Sequence, residues 1–276
     1  MIFKMNSIIT KNFISISFLL TFVACTGEKA GSNLQTLTLS SAPQKVVFLD
    51  NSGQDPRVPM TTTTYPWSSI GRIYYDNGNG TLQICTATMV GRKVAVTAAH
   101  CVLKNRQVVG VTFQADYNQG SFTAQAKSKE IEVGTTNTDN LSDTDWAVIE
   151  LDSPIGDQLG YLGVDNIGDI ASPVKVSFVG YSVDFNKGEI AGVVNSCYIQ
   201  QRFSDQVYGH DCSMNPGASG GPLFATDGQG SVSIKAINTR GFEGHSYSPY
   251  SPTNANIAVM SQALVNAVVK FKALYD

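Results

Sequence analysis

The chain has 276 residues, 42% hydrophobic and 15% charged. That is enough for one large or two modest domains with a sizeable core. Its 19 Lys and Arg against 22 Asp and Glu leave a net charge of −3, which argues against a nucleic-acid-binding surface.

Residues 1–25 read as an export leader. Lys4 and Lys11 precede an apolar run at 13–24 that is too short to span a bilayer. Phe22-Val23-Ala24-Cys25 has the small residues and cysteine of a bacterial lipoprotein cleavage box. Cys25 is therefore an expected lipidation site and point of membrane attachment. Phe22 replaces the usual Leu, so an ordinary leader is the alternative. Residues 26–45 are small and polar and read as a tether or propeptide. The folded part is expected to divide into 46–160 and 161–276. It carries short β-type runs at 71–75, 81–90, 93–97, 108–113, 146–151, 174–179, 193–200, 222–224, 231–238 and 256–260. Several alternate apolar and polar residues, as half-buried strands do. Asp76-Asn77-Gly78-Asn79-Gly80 predicts a hairpin turn; it lacks the spaced acidic ligands of a calcium loop. A helical period occurs only at the end, where Ser261 caps a run containing Leu264, Val268, Phe271 and Leu274. The pattern is all-β with one terminal helix.

Three stretches carry chemistry. Gly217-Ala218-Ser219-Gly220-Gly221 sets a serine among glycines. A serine hydroxyl needs a nearby base and donors for the oxyanion it creates. Thr97-Ala98-Ala99-His100-Cys101 supplies a histidine, and Asp145-Trp146-Ala147-Val148-Ile149-Glu150-Leu151 a carboxylate. Their order is His, Asp, Ser, whereas an esterase elbow needs Ser, Asp, His on alternating β and α elements.

These motifs resemble the trypsin/chymotrypsin-fold serine proteases, and within them the bacterial V8-like, or glutamyl endopeptidase, branch. Arg57-Val58 and the stretch 64–70 resemble the mature N-terminus of that branch, and Lys45-Val46 its maturation cut. The resemblance covers roughly residue 46 onward. It implies two six-stranded antiparallel β-barrels with a C-terminal helix and a catalytic triad in the cleft between them. It further implies His100 as general base, Asp145 as its orienting carboxylate, Ser219 as nucleophile, and the Gly217 and Ser219 amides as the oxyanion hole. Asp143 is the rival carboxylate, on the same side of an extended strand. His210 and His245 lie outside any motif and read as loop residues.

Without Cys25 the exported chain keeps four cysteines, an even number that reads as two disulfides with three possible pairings. Cys85–Cys101 and Cys197–Cys212 are favoured because each closes a short loop, and the family places a bridge beside its catalytic histidine. The cysteines lack the Cys-x-x-Cys spacing of a metal site, and a serine triad requires no cofactor. The expected partners are protein or peptide substrates, and the chain is expected to be a monomer.

Three positions depart from the relatives. Ala218 stands where animal trypsins carry the Asp that pairs with a freshly cut α-amino group. Asn238 stands where glutamyl enzymes carry a histidine for the acidic substrate side chain. Ser213, at the expected pocket floor, replaces the Asp of trypsins. Ser213, Asn238, Thr239, Arg240 and Gly241 are thus the expected substrate-binding residues, with Thr239 also a candidate donor to Asp145. The expected activity is a secreted or envelope-anchored serine endopeptidase. The competing reading is a protease-fold binding protein without catalysis.

Overall fold

The structure is a computed structural model and describes residues 48–50, 52–137, 143–241 and 250–276. Cys25, the tether, Lys45 and His245 lie outside the described residues.

The first barrel joins β1 (Ile70–Asp76), β2 (Leu82–Met89), β3 (Val94–Thr97), β4 (Thr112–Ala115), β5 (Ala124–Val133) and β6 (Ala147–Leu151). It closes in the order β1-β2-β3-β6-β5-β4. The second joins β7 (Val174–Gly180), β8 (Gly192–Ser204), β9 (Val207–His210), β10 (Pro222–Thr226), β11 (Val232–Arg240) and β12 (Asn256–Val259). Its order, β7-β8-β9-β12-β11-β10, repeats that of the first, and every adjacent pair is antiparallel. Closing each sheet on itself leaves no unpaired barrel edge.

Alternation puts Ile73, Met89, Phe113, Ile149 and Leu151 inside the first barrel. Phe178, Tyr208, Leu223, Ile234 and Val259 belong to the core of the second. Burying each such side chain contributes about 1.5–3 kcal/mol. The C-terminal helix, Gln262–Tyr275, begins as expected at Ser261, whose Oγ accepts from Leu264 N–H at 3.1 Å. It lies against β3 and β6 of the first barrel. The Asp276 carboxylate then accepts from the Arg92 and Lys93 amides at 2.9 Å each, tying the chain end to that barrel.

Several local expectations are corrected. Leu274 is 60% exposed; Tyr275 continues the packed edge instead, against Phe271 at 5.4 Å. The run 108–113 is broken. Asn105 and Arg106, both at positive φ, turn Leu103–Lys104 back onto Gln107–Val108, and β4 starts only at Thr112. Two barrel strands have no sequence counterpart above. β5 is rich in charge because its Lys127, Lys129 and Glu130 are exposed, with Ala126 its one fully buried residue. β9 is buried throughout, so Val-Tyr-Gly-His shows no alternation. His210 is therefore a core strand residue and not a loop residue.

Candidate active site

His100 sits on a single 3-10 turn, Ala99–Val102, immediately after β3. Ala98, Ala99, Cys101 and Val102 around it are buried, and Cys101 is bridged to Cys85 on β2. Packing thus leaves the imidazole as the side chain that faces outward from this turn, 28% exposed. Asp145, just before β6, holds it at two points. One carboxylate oxygen meets His100 Nδ1 at 2.9 Å, and the other accepts from the His100 backbone N–H at 3.0 Å. Asp145 is thus the carboxylate on His100, not Asp143. Burial alone would raise the Asp145 pKa. The charge and hydrogen bonds of His100, with a smaller contribution from Arg240, outweigh it and hold the carboxyl below its ordinary value. This contact fixes Nδ1 toward the carboxylate and leaves Nε2 for a proton transfer.

Ser219 lies in the connection between β9 and β10. The second barrel carries this connection onto the first. Thr86 N–H on β2 donates to Ser219 O at 2.8 Å, and Thr86 Oγ1 donates to Gly217 O at 3.0 Å. Gly220, at φ +81°, passes so close to Thr97 and Thr86 that a Cβ would overlap Thr97 Oγ1 and the Thr86 carbonyl. The serine is thereby seated beside the strand end that leads to His100. Its hydroxyl makes a long contact of 3.5 Å to the Thr239 carbonyl. That carbonyl belongs to a bulge: Asn238 pairs with Ala258 and Arg240 with Ile257, leaving Thr239 as the extra residue.

Gly217, at φ +96°, passes the Tyr181 carbonyl so closely that a Cβ would overlap it. Only glycine suits both the angle and the space. Among the described residues, neither the Gly217 nor the Ser219 amide N–H has a protein acceptor. Two unspent donors flanking a serine can hold an oxyanion.

The expected pocket residues have the following partners. Ser213 is fully buried, and its Oγ donates to the Phe48 carbonyl at 2.7 Å. Thr239 Oγ1 donates to Ile257 O at 3.2 Å across the sheet, so it is not spent on Asp145. Asn238 is fully buried and turned onto the nucleophile loop: its Nδ2 donates to Ala218 O at 3.1 Å, and its Oδ1 meets His210 Nε2 at 3.1 Å. His210 Nδ1 accepts from Cys212 N–H at 3.2 Å, so Nε2 carries the proton. Burial pushes the His210 pKa down to about 4 despite the opposing bonds to Asn238 and Ile257. The charge of Arg240 acts on Asp145, and Gly241 follows it, half-buried, at the end of β11.

Cys197 and Cys212 form the second disulfide, ending one residue before Ser213. Both cysteine-rich clusters of the described residues, Cys85/His100/Cys101 and Cys197/Asp211/Cys212, contain sulfurs already paired, which offer no thiolate to a metal. Thr86 and Tyr181 had no motif to mark them; their part in the site arises from the meeting of the barrels.

Residues 59–257 match the Trypsin family. A glutamyl endopeptidase of Bacillus licheniformis is 26% identical over 239 residues, covering 81% of this chain and 72% of that protein. Among solved structures, a Glu endopeptidase in complex with MPD aligns at a TM-score of 0.64 and 22% identity, over 83% of this chain and 99% of that one. The protease Anisep from Arthrobacter nicotinovorans aligns at 0.53 and 19% identity, over 70% and 89%. A thermostable serine protease, AL20, from an extremophilic microorganism aligns at 0.58 and 17%, over 76% and 97%. Two like barrels with a serine, a histidine and a carboxylate at their junction define the trypsin-like serine endopeptidase class. The chain belongs to the trypsin family, close to its V8-like branch.

Proposed function

We propose that the chain is an exported serine endopeptidase in which Ser219 attacks the substrate carbonyl while His100 Nε2 takes the hydroxyl proton. The carbonyl oxygen becomes an oxyanion held by the Gly217 and Ser219 amides. His100 then passes its proton to the leaving amine, giving an acyl-enzyme on Ser219 Oγ. Water, deprotonated by His100, attacks this ester and releases the acid and the serine. Asp145 keeps the imidazole in the required tautomer and stabilises the imidazolium. The observation that carries this reading is the two-point hold of Asp145 on His100.

Export rests on residues 1–25, with Cys25 as lipid attachment point and a cut near Lys45 as release. The relative from Bacillus licheniformis is named a glutamyl endopeptidase. If an acidic side chain is preferred here, Arg240 is the residue proposed to recognise it, because the Asn238 amide is committed inward.

The test compares the chain produced without residues 1–25 with its Ser219→Ala variant on a mixture of peptides, with cleavage sites read by mass spectrometry. The expected loss is about 10⁶-fold in kcat. Equal cleavage by the two, or none by correctly matured native protein, would overturn the reading.

A further inference from the structure

The segment Asn215–Ser219 must aim two amides at one point, yet most of it lies outside the strand ladders and Ala218 offers no charge to anchor it. A buried polar relay reaches it from the other side. The Arg57 side chain is only 3% exposed. Its guanidinium forks onto Asp184, with Nη1 to Oδ1 at 2.9 Å and Nη2 to Oδ2 at 2.7 Å. It also grips Asp55, with Nε to Oδ1 at 3.0 Å and Nη2 to Oδ2 at 2.7 Å. Phe185 lies 5.2 Å below it. The Arg57 segment is itself pinned, because Val58 and Pro59 pair with Val193 and Gly192 of β8.

Asp184 passes this hold to the nucleophile loop. Its Oδ2 accepts from Asn215 Nδ2 at 2.7 Å. Beside it, Val183 N–H donates to Pro216 O at 2.8 Å, and Ser182 Oγ accepts from Asn215 N–H at 3.2 Å. The other end of the Asn215 amide, Oδ1, is buried without a partner among the described residues, so the Asp184 contact alone orients that amide. Gly217 then passes against the Tyr181 carbonyl of the same 181–184 segment. Bidentate arginine–carboxylate pairs fix geometry as well as charge.

We infer that Arg57, Asp184 and Asn215 are positioning residues that hold the oxyanion-hole amides in place, substituting an internal ion pair for the one that Ala218 precludes. This inference rests on the catalytic reading above for its kinetic consequence, but its structural consequence is independent of that reading.

The experiment uses the matured chain, Asn215→Ala, and Arg57→Met/Asp184→Leu, which removes both charges of the pair and takes the acceptor away from Asn215 Nδ2. Two readouts are taken: amide hydrogen exchange in the peptide spanning 215–219, and kcat separated from KM. The expected result in both variants is exchange faster by about tenfold or more, with kcat lower by about 100-fold and KM within about threefold, as for a lost oxyanion donor. Arg57→Lys, which keeps the charge but loses the fork, falls between. Native-like exchange in Asn215→Ala overturns the inference, as does a loss expressed only in KM. Should the double variant not fold, Asn215→Ala decides, because it leaves the ion pair intact. Should native protein and Ser219→Ala cleave equally, the catalytic reading fails and exchange alone judges the relay.

Discussion

The two barrels share one strand order, and each places its reactive group after its third strand, yet they hold those groups by opposite means. His100 follows β3 by three residues, on a turn surrounded by buried alanines, Val102 and the Cys85–Cys101 bridge. Ser219 follows β9 by nine residues, on a longer loop held through buried polar groups: Thr86, Asn238 with His210, and Asn215 with Asp184 and Arg57. A base needs one fixed ring and one partner. An oxyanion hole needs two amides aimed together, and apolar packing, which is non-directional, cannot aim them. Directional hydrogen bonds can.

This contrast can be tested from either side. The largest effect is expected on the first barrel's side, in Asp145→Asn. It keeps the shape but reverses the proton preference at Nδ1, and kcat should fall by about 10⁴-fold with the fold intact. Steady-state kinetics beside a thermal melt checks this; a loss under tenfold would mean that packing alone orients His100. On the second barrel's side, Gly217→Ala forces a Cβ toward the Tyr181 carbonyl at φ +96°. A kcat loss of about 10²–10³-fold is expected, with little change in the binding of product peptides. Equal losses in kcat and product affinity would show that the loop collapsed instead of losing its aim.

The smallest of the three effects concerns stability in acid. His210 has its folded pKa depressed to about 4, below the unfolded value near 6.5. As pH falls through that window the unfolded chain takes up a proton that the folded chain refuses, so stability declines, by roughly 3 kcal/mol in all. Asp145, also depressed, adds a loss only below the ordinary carboxylate range. Denaturant melts between pH 7 and pH 4 should show a shallower decline for His210→Gln than for native protein. Parallel curves would remove His210 from the polar side of the comparison.

Much of the fold and part of the site was legible in the chain itself, for reasons that differ from residue to residue. Alternation and turn residues marked most strands, because a half-buried strand must present two unlike faces. Ser261 and the spacing of Leu264, Val268 and Phe271 marked the helix, since capping and period are local properties. The wholly buried β9 escaped because it does not alternate, and β5 because its charged residues mask a partial alternation around Ala126 and Ile131. His100, Asp145 and Ser219 stood out through short motifs, each set by its immediate backbone. Which carboxylate oxygen meets which nitrogen depended on the register of β3 against β6.

The sequence by itself determined the β-rich class, the chemistry available at three positions and the glycines without which the nucleophile loop could not turn. Only the tertiary structure decided how that loop is held and which way its neighbours face. Asn238 is turned inward to Ala218 and His210, Ser213 is engaged by Phe48, and Arg57 reaches Asp184 across 127 residues. Those partners lie far apart along the chain, and buried polar groups accept whichever partner the closed barrels bring within about 3 Å.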